Sequence, residues 1–178
     1  MSFGLSRVPE PINEPVRSYL PGSVERDQLK AAYAQLAGRT HEIPLWIGGK
    51  QVRTGRTAPL IAPHRRRHPL GVFHQAGAIE VADAITAAQA ARAEWAAPPW
   101  EERAAVFLRA AALLRTEFRD RLNAATMLGQ SKTPHQAEID AACELIDFFR
   151  FNVYFLRRML ESEQPLSSPG QWNQLDLR

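Results

Sequence analysis

Between Ala78 and Leu160, apolar residues recur at spacings of three and four in one segment after another, with no strand-type run between them. That succession of helices constrains the fold more than any other feature of the chain. A doubly wound nucleotide-binding domain alternates strand and helix, so these 178 residues do not read as a complete domain of that kind. Strand signals lie only ahead of the helices. Ile43, Leu45 and Ile47 alternate, Gly48-Gly49 supplies a two-residue turn of the kind that needs positive φ, and Val52 continues on a returning strand. Further strand-like pieces fall at 58–62 and 70–75, on either side of the loop His64-Arg65-Arg66-Arg67-His68. The expected architecture is a mainly α piece with an N-terminal β-hairpin and two or three loosely placed strands.

Punctuation residues divide the rest. Pro9, Pro11, Pro15 and Pro21 make residues 1–22 an extended arm. Ser23 caps a short helix with Glu25 in its first turn and Leu29, Tyr33 and Leu36 inward, and Gly38 ends it. Val81, Ile85, Ala88 and Trp95 form the stripe of the helix that starts at Ala78. Pro98-Pro99 breaks that helix. Glu101 and Glu102 open the next, whose buried face is read as Val106, Phe107, Ala110, Leu113 and Leu114. A shorter helix over 120–128 is expected to close at Gly129. Thr133 then caps a long helix over 134–160, with Pro134 at its first position. Its apolar stripe is Ile139, Ala142, Cys143, Ile146, Phe149, Val153 and Leu156, and Glu138, Glu144, Asp147 and Arg150 form a polar set off that stripe. Asp140 and Glu144 are like charges at i,i+4, mildly unfavourable unless something offsets them. Residues 165–178 read as a Pro/Ser/Gly linker that leads, from Trp172 to Leu177, into a strand.

Composition narrows the function classes. A net charge of +3 is too mild to imply nucleic acid, and no run of 18 apolar residues exists to span a membrane. One cysteine excludes an internal disulfide framework and fits a reducing compartment. The first residues lack both a secretory apolar core and an Arg-rich transit pattern, so a cytoplasmic location is expected. Neither dinucleotide nor P-loop glycine motif occurs, and His64, His68 and His74 lack an acid or cysteine to complete a metal geometry.

The run GQSKTPHQAEIDAACELIDFFRFNV resembles the corresponding helix of the aldehyde dehydrogenase superfamily, in its L-glutamate γ-semialdehyde (Δ1-pyrroline-5-carboxylate) dehydrogenase branch. EPVRSYLPGSVERDQLKAAY, IPLWIGGKQVRTG, AAQAARAEWAAPPWEERAAVFLRAAALL and EQPLSSP are similar as well, so the resemblance runs from about residue 14 to 166. It implies an α/β fold in which residues 23–164 are the N-terminal lead-in to the cofactor-binding domain. The last residues would then start an oligomerisation strand. It also implies NAD-dependent oxidation of the amino-acid aldehyde to glutamate in proline catabolism by the full-length enzyme, with a homo-oligomer or a full-length relative as the expected partner of this chain. The family's nucleophile, general base, oxyanion asparagine and cofactor turn have no matching segment here. The chain alone is expected to be inactive and to bind no cofactor, and NAD against NADP stays open.

Among candidate residues, Glu144 matches the acidic residue that meets the substrate's ammonium in that branch. Phe148 and Ser131 are candidates for lining its pocket, and Ser131 with Lys132 for contacting an anion. The basic run 64–68 is weighed as a phosphate-attracting patch against a solvated loop. Cys143 sits mid-helix on the apolar stripe with no activating neighbour, and is read as structural, not nucleophilic. A non-catalytic helical binding or assembly module is the alternative. Exposed apolar helix faces would favour the incomplete enzyme.

Overall fold

The computed structural model describes residues 8–162 and 164–175. In chain order come α1 (Val24–Ala37), β1 (His41–Ile43), β2 (Leu45–Ile47), β3 (Lys50–Val52), β4 (Thr57–Ile61), β5 (Pro69–His74), α2 (Ala78–Ala96), α3 (Trp100–Leu113), α4 (Arg119–Gln130), α5 (Pro134–Ala137) and α6 (Glu144–Glu161). The described residues are mainly helical, but their strands number five rather than two or three. Residues 8–22 carry no helix or strand, and residues 1–7 of the expected arm lie outside the described residues. Among the described residues of the 165–178 segment there is no strand, and 176–178 lie outside them.

Local signals formed as the residues dictate. Ser23 Oγ accepts from the Arg26 N–H at the start of α1, and Gly38 caps its end. Gly48 and Gly49 take φ of 56° and 75° in the antiparallel β2–β3 hairpin. Ile43, however, does not extend that hairpin. Pro44, which has no N–H to donate, separates it, and β1 pairs parallel with β5 in a second sheet ordered β1-β5-β4.

Two long helices are each built through a π segment. Leu114–Phe118 joins α3 to α4, so the helix runs unbroken from Trp100 to Gln130. Gly129 lies inside it, and the helix closes instead at Ser131, which adopts the left-handed conformation with φ 60°. A glycine permits helix termination without requiring it. Glu138–Cys143 likewise joins α5 to α6. Thr133 caps that helix in a reciprocal box with Gln136. The Asp140 charge is met by Lys132 at 2.6 Å, which makes its spacing to Glu144 tolerable.

Packing corrects one expected face, that of α3. On α3 the buried residues are Ala104 and Ala111; Val106 is exposed, and Phe107 leans on Phe149 with ring centroids 5.7 Å apart while staying part exposed. Small residues let two backbones come close, so alanines rather than larger apolar side chains take the contact. On α2 no residue is buried, and Val81, Ile85 and Trp95 are exposed. The core lies between α1, α4 and the β4–β5 ribbon, where Tyr19, Leu29 and Ala124 meet one cluster and Ala62, Leu70 and Leu128 another.

Candidate functional site

Glu144 is the first residue of α6, just past the π segment. Four residues on, Phe148 shares its face, and together with Asn13, Asp147, Phe151, Asn152 and Phe155 they line a cavity of about 350 Å3. The arm closes one side. Asn13 Nδ2 donates to Asp147 Oδ2 at 2.8 Å, and the Glu14 N–H donates to Asp147 Oδ1 at 2.7 Å. Arg150 Nη1 in turn donates to Glu14 Oε2 at 2.9 Å. Asp147 is thereby committed to holding the arm, whereas the exposed Glu144 carboxylate has no hydrogen-bond or ion-pair partner among the described residues. A free carboxylate beside exposed aromatic rings is suited to an ammonium, which both the charge and the ring faces attract.

Beneath this wall is a buried ionic cluster. Arg119, the first residue after one π segment, bonds Glu138, the first residue of the other, through Nη2 to Oε1 and through Nε to Oε2 at 3.3 Å. Arg119 Nη1 donates to Glu14 Oε1 at 2.6 Å, and Nη2 donates to the Pro15 carbonyl at 2.8 Å. Glu138 also accepts from Tyr19 Oη at 2.7 Å, from Asn123 Nδ2 at 2.7 Å and from the Arg17 N–H at 2.8 Å. Glu138 is 0% exposed and Arg119 2%. Burial alone would push the Glu138 carboxyl up; the Arg119 guanidinium, the Arg17 N–H and the Tyr19 hydroxyl more than offset it and hold it down at about 2. Glu14 is lowered in the same way by Arg119 and Arg150 against its own burial.

Cys143 belongs to this cluster and not to the cavity. Burial, with the Glu138 charge beside it, pushes its thiol up to about 11. A thiol so placed is a poor nucleophile near neutral pH. The sequence places Glu138 in the polar set off the apolar stripe, yet it is the most buried acid among the described residues. It lies four residues before Ala142 on the apolar face, and that position is the one sequence signal that could have found it. Polarity misleads here because the compensating charge comes from another helix.

Ser131 and Lys132 are not in the Glu144 cavity. They line a separate one of about 660 Å3, where Ser131 Oγ meets His64 Nδ1 at 3.0 Å. His74 is engaged elsewhere: its Nδ1 accepts from the Thr54 and Gly55 N–H groups, and Nε2 therefore faces Glu42 as donor at 2.9 Å. Among the described residues, no three His, Cys, Asp or Glu side chains converge to hold a metal ion. A dinucleotide phosphate would meet the described residues at a strand-to-helix turn. The turn from β5 into α2 is their strand-to-helix turn, and Glu80 Oε2 already accepts from the Gly77 N–H there at 2.6 Å, held by Arg56. No described helix is long and apolar enough to cross a membrane.

Comparison with known proteins gives one answer. The aldehyde dehydrogenase family model matches residues 49–177. The mitochondrial Δ1-pyrroline-5-carboxylate dehydrogenase of Dictyostelium discoideum is 42% identical over 171 residues, 96% of this chain and 31% of that protein. That of Bos taurus, also named mitochondrial, is 47% identical over 163 residues, 92% of this chain and 29% of the relative. The solved structure of the Mycobacterium tuberculosis enzyme bound with NAD superimposes with a TM-score of 0.92 at 48% identity, covering 98% of this chain and 33% of that one. The chain thus spans about a third of the length of the relatives it matches.

Proposed function

The chain belongs to the aldehyde dehydrogenase family, and on that premise we propose that it is the N-terminal part of an NAD-dependent L-glutamate γ-semialdehyde dehydrogenase acting in proline catabolism. The observation that carries this reading is the Glu144 carboxylate, unpartnered among the described residues and beside Phe148, in a chain 42–48% identical to the Δ1-pyrroline-5-carboxylate dehydrogenases compared above. An amino-acid aldehyde presents an ammonium at one end and a carbonyl at the other. Glu144 would hold the ammonium, and Phe148 would cover the apolar body of the substrate. Asn13 and Asp147 position that wall by pinning the arm to α6.

Oxidation then needs a nucleophile at the carbonyl and NAD to accept the hydride. We assign both to the part of the protein outside these residues, because Cys143 is buried and raised to about 11 and the β5–α2 turn is capped by Glu80. The exposed stripe of α2 supports this view over a free-standing assembly module, since a module evolved to stand alone would cover it. The cover would be the rest of the protein or a second copy in a homo-oligomer, reached through the 165–178 segment. A single unpaired cysteine suits a reducing compartment, and we assign the protein to the inside of the cell, the cytoplasm being the expectation and the mitochondrion the location in the names of the relatives.

The test is NADH formation by the protein purified from its host, with glutamate γ-semialdehyde and with a plain short aldehyde. Glu144→Ala is expected to raise KM for the amino-acid aldehyde at least about tenfold, the worth of one charge-assisted bond, and to leave the plain aldehyde nearly unchanged. Equal effects on both substrates would remove Glu144 from the ammonium site. A wild-type protein that reduces no NAD with either aldehyde would sink the whole reading.

A further inference from the structure

Two features singled out in the sequence, the basic run at 64–68 and the Ser131-Lys132 pair, play no part in that function. The structure brings one residue of that run, His64, to the Ser131-Lys132 pair. Between α1, the 62–68 loop and the turn from α4 to α5 lies the cavity of about 660 Å3, within the size range of small-molecule sites. Its walls carry Arg26, Lys30 and Lys132 with His64 and His135, and no carboxylate lines it. Asp140 steadies Lys132 from outside the lining at 2.6 Å. Arg26 Nη1 donates to the Tyr19 carbonyl at 3.3 Å, while Lys30 makes no hydrogen bond or ion pair among the described residues.

The loop is exposed but tethered at His64. His64 contacts Ser131 Oγ through Nδ1 at 3.0 Å and Tyr33 Oη through Nε2 at 3.4 Å, tying the loop to α1 and to the α4–α5 turn. Arg26, Lys30 and Lys132 set positive charge around one concavity that no carboxylate lines, and only Lys132 is shared with a carboxylate, Asp140, outside it. Lysine and arginine beside hydroxyl donors suit a phosphate. Leu29, Tyr33 and Met127 add apolar lining beside these charges, and the volume leaves room for an organic group attached to the anion.

We propose that this cavity binds a small organic phosphate, with the phosphate between Arg26, Lys30 and Lys132 and the organic body against Leu29, Tyr33 and Met127. The site is separate from the Glu144 cavity and does not depend on the aldehyde reading. Phenyl phosphate is the probe, titrated by calorimetry into the host-purified protein saturated with NAD so that the cofactor site is blocked. The expected result is saturable binding of one probe per chain, about tenfold tighter than inorganic phosphate. Lys30→Gln should weaken it about tenfold without moving the melting temperature, because Lys30 has no partner to lose among the described residues. Glu144→Ala should leave it unchanged. The proposal is overturned if phenyl phosphate fails to saturate, binds no better than inorganic phosphate, or is indifferent to Lys30→Gln. Benzoate binding as tightly as phenyl phosphate would overturn the phosphate assignment.

Discussion

Replacing Arg119 by methionine is expected to cost about 3–5 kcal/mol of stability at pH 7, because it strands two buried carboxylates rather than removing one contact. Glu138 is 0% exposed and Glu14 is buried, and both are held mainly by that guanidinium. Methionine fills much of the volume but offers no donor, so the desolvation of both acids would go uncompensated. Urea unfolding of wild type and variant measures the difference, and a shift below about 1 kcal/mol would mean that the cluster is not a net stabiliser in the sense argued.

The same change has a pH signature. Glu138 has a folded pKa of about 2 against an ordinary 4.5, so its stabilisation is fully present above 4.5 and is lost as pH falls towards 2. Glu14 is lowered too and acts in the same direction. The gap between wild type and Arg119→Met should therefore be widest near neutrality and narrow through that acid window. A gap that widened on acidification would contradict the assignment.

Gly71→Ala is the second large effect expected. Gly71 lies in the middle of β5, opposite His41 of β1 and Leu60 of β4, with φ at +145°. A Cβ there would sit 1.8 Å from the His41 carbonyl oxygen and 2.6 Å from its carbon. Backbone cannot yield as a side-chain tip can, so β1 must leave β5. We expect a loss of at least about 3 kcal/mol from strain and clash together, with amide exchange in His41–Ile43 accelerating before that in the helices. Gly49→Ala is the comparison. Gly49 also has positive φ, but open space surrounds its Cβ position, so only the left-handed strain of about 1–2 kcal/mol applies. Equal losses at the two glycines would show that the β1–β5 approach is not what Gly71 protects.

The candidate site was legible only in part. Glu144 and Phe148 are four residues apart on one helix, so spacing alone puts them on one face. Ser131 is also close in sequence, but its position at the end of α4 turns it towards His64 and a different cavity. Asn13 had no signal at all, since its place depends on a contact 134 residues away. Glu138 and Arg119 were missed for a related reason. A period of three and four sorts residues by polarity, and an acid whose charge is cancelled from another helix breaks the link between polarity and exposure.

What the sequence determined by itself is what neighbours within a turn can settle. The Ser23 and Thr133 caps, the Gly48-Gly49 hairpin and the apolar stripe that buries Cys143, Ile146 and Val153 rest on backbone geometry and on periods shorter than two helical turns. The tertiary structure alone decided that Gly129 is passed over, that Ile43 joins a different sheet from Leu45, that α2 keeps its stripe exposed, and that Glu14, Arg119 and Glu138 share one buried site. Each of these depends on a partner distant in sequence or on surface left uncovered. Local propensity carries no information about either.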